Sequence, residues 1–169
     1  MTALKIKKLF CILLALASIT AILAGCGKND SNEKRAEEIA VKVLSSTAEQ
    51  RKKFSVEILK DTTREGIAGA SGLIELYKKE YGEHLTDECI EAMLQNRAFP
   101  ISDAEFFASS GDITAKEIKL TKSTASESSF DYTAKLFDGD NLFATASGSI
   151  TFADASAQKA ERITVKLTK

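Results

Sequence analysis

The sequence predicts an α+β domain in which N-terminal helices pack on a four-stranded antiparallel meander sheet. From Glu33 to about Phe99, apolar residues recur at the i, i+3, i+4 spacing of a helix face. After Pro100 they alternate with polar residues in four successive sets, which is the period of half-buried strands. Helices first and strands after is the element order of an α+β fold.

Three or four helices are expected in the first half, because helix start signals recur along it. These signals are hydroxyl residues followed by acids or glutamine that can satisfy free backbone N–H groups: Thr47 with Gln50, Thr62 with Glu65, and Thr86 with Asp87 and Glu88. Gly82 is expected to end one helix. Pro100 excludes continuation of the last one, because its ring removes a backbone donor and clashes with the preceding turn.

Four strands are expected between about residues 112 and 169. Their alternating sets are Ile118 and Leu120; Phe130, Tyr132, Ala134 and Leu136; Ala144, Ala146, Gly148, Ile150 and Phe152; and Ile163, Val165 and Leu167. Asp138-Gly139-Asp140-Asn141 has the composition of a hairpin turn. Alternation leaves one apolar face per strand, and we expect the helices to cover it.

The N-terminus has the organisation of a secretory signal. Lys5, Lys7 and Lys8 precede an apolar run over residues 9–23, which is shorter than the roughly 20 residues of a membrane-spanning helix. The run closes on Leu23-Ala24-Gly25-Cys26, which resembles the lipobox of bacterial lipoproteins at all four positions. That resemblance implies cleavage between Gly25 and Cys26 and attachment of a diacylglyceryl group to the Cys26 sulfur.

These features divide the chain into three parts and give it an expected location. Residues 1–25 are the predicted signal peptide, residues 26–32 a lipid anchor with a polar tether, and residues 33–169 a single α+β domain. The acyl chains anchor the protein stably, since each buried methylene contributes about 0.8 kcal/mol. The expected location is the extracytoplasmic face of the cell membrane, and the membrane is a partner through the Cys26 lipid.

Charge and cysteine content exclude several function classes. The chain has 23 basic and 24 acidic residues, and removing a signal with three lysines leaves 20 and 24, or net −4. Nucleic-acid binding is not expected from such a balance. Cys11 leaves with the signal and Cys26 carries lipid, so Cys89 has no partner for an intramolecular disulfide. A small buried hydrophobe is favoured over a reactive thiol at Cys89.

The mature part resembles the nuclear transport factor 2-like superfamily. The resemblance rests on a helical half containing Leu76-Tyr77-Lys78-Lys79-Glu80-Tyr81-Gly82, the four strands, and a closing Ala160-Glu161-Arg162-Ile163-Thr164-Val165-Lys166-Leu167. It implies a curved sheet that wraps helices into a cone, and a pocket inside the cone. Tyr77, Tyr81, Phe130 and Tyr132 are the residues predicted to line it, together with Phe137, Phe143 and Phe152. Plain core is the favoured role of the same aromatics, because aromatic residues on the inner face of an α+β domain are usually core.

Other candidate sites have simpler interpretations. His84 could act as a general base beside nearby acids, but a solvated histidine at a helix end is favoured. The glycines at 66, 69 and 72 lack the lysine of a phosphate loop, and residues 138–141 lack the glutamate of a calcium loop. The basic segment 51–53 could contact anionic lipid, although such a segment is usually the solvated side of a helix. No metal site and no cofactor are predicted.

Two functions follow from these features of the sequence. The leading one is a non-enzymatic, membrane-tethered module that binds a protein, a peptide or the cell envelope. The alternative is a small-ligand binder or pocket enzyme of the nuclear transport factor 2-like type, which would use an inward-facing Tyr132, Asp131 or His84.

Overall fold

The fold is taken from a computed structural model that describes residues 29–169 except 64–67, 125 and 155. The predicted signal peptide and the lipobox with Gly25 and Cys26 lie outside the described residues, as does Glu65. The helices are α1 Asn29–Leu44, α2 Ala48–Thr63, α3 Ala68–Tyr81, α4 Asp87–Gln95 and α5 Ala104–Ala108, with a 3-10 turn at Pro100–Ser102. The strands are β1 Ile113–Lys122, β2 Ser129–Asp138, β3 Asn141–Phe152 and β4 Ala160–Thr168.

The strands form one antiparallel sheet in the order β1-β2-β3-β4, so the predicted α+β class and meander are confirmed. Each neighbouring pair contains a register shift, between Lys116 and Lys119, between Leu136 and Phe137, and between Thr151 and Phe152. Such irregularities bend a strand and increase its twist. The turn from β2 to β3 is the predicted hairpin, with Gly139 at a φ of 61° where an L side chain would be strained.

The helices cover one face of the sheet, here called the inner face. α1 packs mainly on β1 and also contacts β2 and β3, while α2 packs on α3, α3 on α4, and α4 on β4. Alternate β2 residues from Phe130 to Leu136 point into this layer and are 0–5% exposed. Within the described residues, none of the helices combines the length and apolar character needed to cross a membrane.

Three of the predicted helix boundaries are confirmed. Thr47 Oγ1 accepts from Gln50 N at 3.0 Å at the start of α2, and Thr86 Oγ1 accepts from Cys89 N at 3.2 Å at the start of α4. α3 ends at Tyr81, just before Gly82. In each case the residue next to the helix marks the boundary, by a capping hydroxyl at Thr47 and Thr86 and by a glycine at Gly82, so local sequence is sufficient to locate it.

Three predicted boundaries are wrong. α1 begins at Asn29, so part of the predicted 26–32 tether is helical, and Asn32 is buried, with Arg35 Nη1 donating to its Oδ1. The predicted start at Thr62 does not exist, because α2 runs on to Thr63. The segment after Pro100 contains the 3-10 turn and α5 before the first strand, since Asp103 Oδ1 caps α5 by accepting from Phe106 N at 2.9 Å.

Candidate functional site

Two of the four predicted pocket residues lie together in an aromatic cluster. Tyr77 and Tyr81 stack with 5.8 Å between ring centroids, and both contact Phe99, at 4.6 and 4.9 Å. Phe54 meets the Tyr77 ring edge-on at 4.5 Å. Tyr77 is 2% exposed and Tyr81 1%, and burial raises the pKa of both phenols well above the usual range. These rings therefore hold α2 and α3 against the segment after α4.

The other two predicted pocket residues lie on the inner face of β2. Phe130 packs edge-on against Phe152, with centroids 6.3 Å apart. Tyr132 donates its hydroxyl to Thr164 O at 2.9 Å, passing over Gly148 on the strand between them. None of the four lines any of five open grooves on the surface of the described residues. Their role in a ligand pocket stays a prediction.

Other singled-out residues have structural contacts. The His84 backbone connects α3 to β4, because its N–H donates to Tyr81 O and its carbonyl accepts from Ala160 N, each at 2.9 Å. Cys89 is buried, as expected, and desolvation raises the pKa of its thiol to about 11. A thiol with so high a pKa is largely protonated at neutral pH and is a poor nucleophile.

The basic segment 51–53 is not one surface. Arg51 is 3% exposed, and its guanidinium donates to the carbonyls of Ser46, Ser109 and Gly111. Its Nε has no hydrogen-bond partner among the described residues. Desolvation lowers the pKa of Arg51, opposed by the charges of Asp112 and Asp138. Arg51 thus joins the α1–α2 corner to the loop before β1, and only Lys52 and Lys53 remain exposed for a partner.

An open groove lies where α1, α2 and α3 meet, and we call it the helical groove. It encloses about 350 Å³. Its lining combines apolar and charged side chains: Val41, Lys42, Ser45, Thr47, Glu49, Gln50, Lys53, Phe54, Leu76 and Glu80. A shallower depression continues from it past Val56 and Lys52, and we count this depression as part of the helical groove.

The helical groove exposes apolar surface between charged rims. Val41 is 40% exposed and Val56 45%, and they are among the few large apolar side chains left in solvent. Lys42 Nζ contacts Glu80 Oε1 at 2.6 Å on one rim. An apolar strip with polar edges is the general composition of a site for a protein segment.

The second open surface is the outer face of the sheet, which the helices leave uncovered. Across the strands, Lys119 lies opposite Thr133, Thr133 opposite Ser147, and Ser147 opposite Lys166. In the adjacent row Lys116 lies opposite Lys135. Sequence reasoning missed this surface; the signal that could have revealed it is the lysine content of the polar positions in the alternating strand sets.

No protein-family model, no curated protein and no solved structure matches the chain. Within the described ranges, no group of three or more His, Cys, Asp or Glu side chains is placed to hold a metal ion. The features that bear on function are therefore the sequence of the N-terminus and the two open surfaces.

Proposed function

We propose that this chain is a lipid-anchored protein of the extracytoplasmic face of the cell membrane that acts as a non-enzymatic binding module. The observation that carries the proposal is the lipobox-like Leu23-Ala24-Gly25-Cys26 behind a lysine-rich head and an apolar run. A thioether-linked lipid at Cys26 would hold the domain at the leaflet. Its helices and sheet would then present binding surfaces to the envelope.

We propose further that the domain is of the nuclear transport factor 2-like type. The order of elements, with helices before a four-stranded antiparallel meander, supports this assignment. Register shifts in all three strand pairs also support it, because bulges are how a sheet acquires strong curvature.

The helical groove is the surface we assign to a protein partner. Val41 and Val56 would be covered by apolar side chains of that partner, while Lys42 and Glu80 would contribute a polar rim. The alternative function, a small-ligand binder, would use the region around Tyr132 behind the helices. Buried aromatic residues with their hydroxyls engaged, such as Tyr132 on Thr164, favour the groove over the interior.

Two experiments test the proposal. Mass spectrometry of the protein isolated from its own membranes should show a diacylglyceryl-modified Cys26 as the first residue, and Cys26→Ser should remain an unprocessed precursor. An intact Met1 or an unmodified Cys26 in the native product would refute the lipid anchor.

For the groove, a photo-crosslinking residue at Val56 should capture a defined protein in cells. The same residue at the exposed Ala92 of α4 is the control. Val41→Glu should abolish capture, because a carboxylate would have to be buried in the interface. Equal capture from both positions, or capture unchanged by Val41→Glu, would argue against the groove. A ligand-induced thermal shift removed by Tyr132→Phe would instead favour the small-ligand function.

A further inference from the structure

We propose that the outer face of the sheet binds an extended polyanion whose charges are phosphodiester groups. This inference goes beyond the proposed function and does not depend on the helical groove. Its basis is the charge distribution over the molecule. Five basic residues, Lys116, Lys119, Lys135, Arg162 and Lys166, and two acidic ones, Glu117 and Asp131, stand on this face.

The outer face is positive while the remainder of the domain is acidic. Five basic and two acidic residues give the face a formal charge of +3, whereas the predicted mature chain has 20 basic and 24 acidic residues, or −4, so its remainder carries −7. Separation of charge on this scale attracts a polyanion to one face and repels it from the others. Packing does not require this separation of charge, because the charged side chains of the outer face are exposed.

Four of the five cations have no carboxylate partner among the described residues. Lys135 pairs with Glu117 Oε2 at 2.7 Å, and Glu117 occupies a φ of 52° in the β1 irregularity. Lys116 instead lies over the Phe137 ring, 5.2 Å from its centroid. Within the same part of the chain, Lys119, Arg162 and Lys166 have neither kind of contact. Like charges left unpaired on one sheet face are unfavourable in the free protein, and bound phosphates would neutralise them.

Hydroxyl groups fill the space between these cations. Thr133 and Ser147 separate Lys119 from Lys166, which lie three strand spacings, or about 14 Å, apart. Lysine ammonium groups and Ser or Thr hydroxyls are both regular donors to phosphate oxygens. Arginine is the residue that most often binds carboxylates through bidentate hydrogen bonds. Arg162 is the only arginine among the described residues of this face. The donor set therefore favours phosphate over carboxylate.

The geometry of the proposed anchor favours a polymer over the lipid leaflet itself. Cys26 is three residues before α1, a reach of at most about 10 Å. α1 packs on the inner face, so the sheet separates it from the outer face. For the outer face to lie on headgroups, the tether would have to span both layers, and packed layers alone are about 10 Å apart. The preference for a polymer over the lipid leaflet is the only part of this inference that rests on the proposed function, because it uses the Cys26 anchor.

The test uses the full-length lipidated protein in neutral detergent micelles, with its Cys26 modification verified by mass. Binding is measured to a poly(glycerol phosphate) longer than the sheet is wide, about 15 Å. With about four phosphate contacts, the affinity should fall on the order of 10²-fold between about 50 and 200 mM salt. Poly-L-glutamate and glycerophosphoglycerol, the water-soluble headgroup of phosphatidylglycerol, are the comparison probes, and both should bind more weakly than the phosphate polymer.

The decisive variant is Lys119→Glu/Lys166→Glu, which should weaken binding about tenfold or more. The matched control is Lys34→Glu/Lys79→Glu, which changes the net charge equally at exposed positions of α1 and α3 and should leave the affinity within about twofold. Circular dichroism establishes that both doubles fold. Equal losses in the two double variants, equal binding of poly-L-glutamate, equal binding of glycerophosphoglycerol, or no binding at low salt would each overturn the proposal.

Discussion

The two faces of the sheet are built from the same four strands but meet opposite requirements. On β2, the inward Tyr132, Ala134 and Leu136 are at most 2% exposed, while the neighbouring Thr133 and Lys135 stand in solvent. The inner face is constrained by packing, so its residues report on the fold. The outer face is almost free of packing, so a charge pattern there reports on what the protein meets in solution.

The largest expected effect tests the difference between the two faces of the sheet at adjacent positions of β2. Leu136→Ala should destabilise the domain by about 2–5 kcal/mol, because it removes a fully buried side chain and leaves a cavity. Lys135→Ala, one residue away, should change stability by no more than about 0.5 kcal/mol. Urea unfolding followed by far-UV circular dichroism measures both. Similar losses for the two variants would mean that the outer face is also packed.

A substitution of Arg51 tests whether the hydrogen bonds of this buried guanidinium stabilise the domain. Arg51→Met should cost about 2–4 kcal/mol, because the carbonyls of Ser46, Ser109 and Gly111 lose their common donor. Lys52→Met is the matched control, since Lys52 is exposed on the same helix. Its free energy of unfolding should be nearly unchanged. A stabilised Arg51→Met variant would show that desolvation of the guanidinium outweighs its hydrogen bonds.

Two glycines sharpen the comparison, because Gly148 is closely packed in β3 and Gly139 lies open in the turn before that strand. A Cβ at Gly148 would clash with Thr164 O and lie 2.9 Å from Tyr132 Oη, so Gly148→Ala should cost about 1–3 kcal/mol. At Gly139 a Cβ would meet nothing within 4 Å, but the φ of 61° is unfavourable for alanine. Gly139→Ala should therefore lose about 1 kcal/mol. A Gly148→Ala variant as stable as the original chain would contradict the close approach of Thr164 O and Tyr132 Oη to Gly148.

Periodicity and local capping predict much of the fold because both depend on residues that are close in sequence. The alternation in β2 to β4 shows which side chains face the helices, and Thr47 and Thr86 bond to N–H groups three residues away. The sequence patterns do not reveal α5, although it has the same kind of start signal. It is only five residues long, and Asp103 lies between the predicted helices, which end at about residue 99, and the predicted strands, which begin at about residue 112.

The candidate surfaces are harder to predict because they depend on long-range register. The sequence places Arg51 in a basic surface segment, but its acceptors Ser109 and Gly111 lie 58 and 60 residues away. Lys119 and Lys166 come together on one face only through the pairing of four strands. A sequence pattern within one segment can therefore reveal neither the acceptors of Arg51 nor the shared face of Lys119 and Lys166.

The smallest expected effect concerns the α5 cap beside the core. The Phe106 N–H, and secondly Lys169, lower the pKa of Asp103, so the ionised carboxylate stabilises the folded state. This contribution is complete above the unfolded pKa, about 3.9, and is lost as pH falls through the lower folded pKa. Asp103→Ala should cost about 1 kcal/mol at neutral pH.

Urea unfolding at a series of pH values measures how this difference changes. The free energies of the original chain and Asp103→Ala should converge as pH falls below about 3.9. Asp103→Asn keeps an oxygen acceptor without the charge, so it should recover part of the loss at neutral pH and show none of the pH dependence. A difference between the original chain and Asp103→Ala that stayed constant at all pH values would mean that the cap does not depend on ionisation. In that case Asp103 would stabilise the domain through packing and not through its charge.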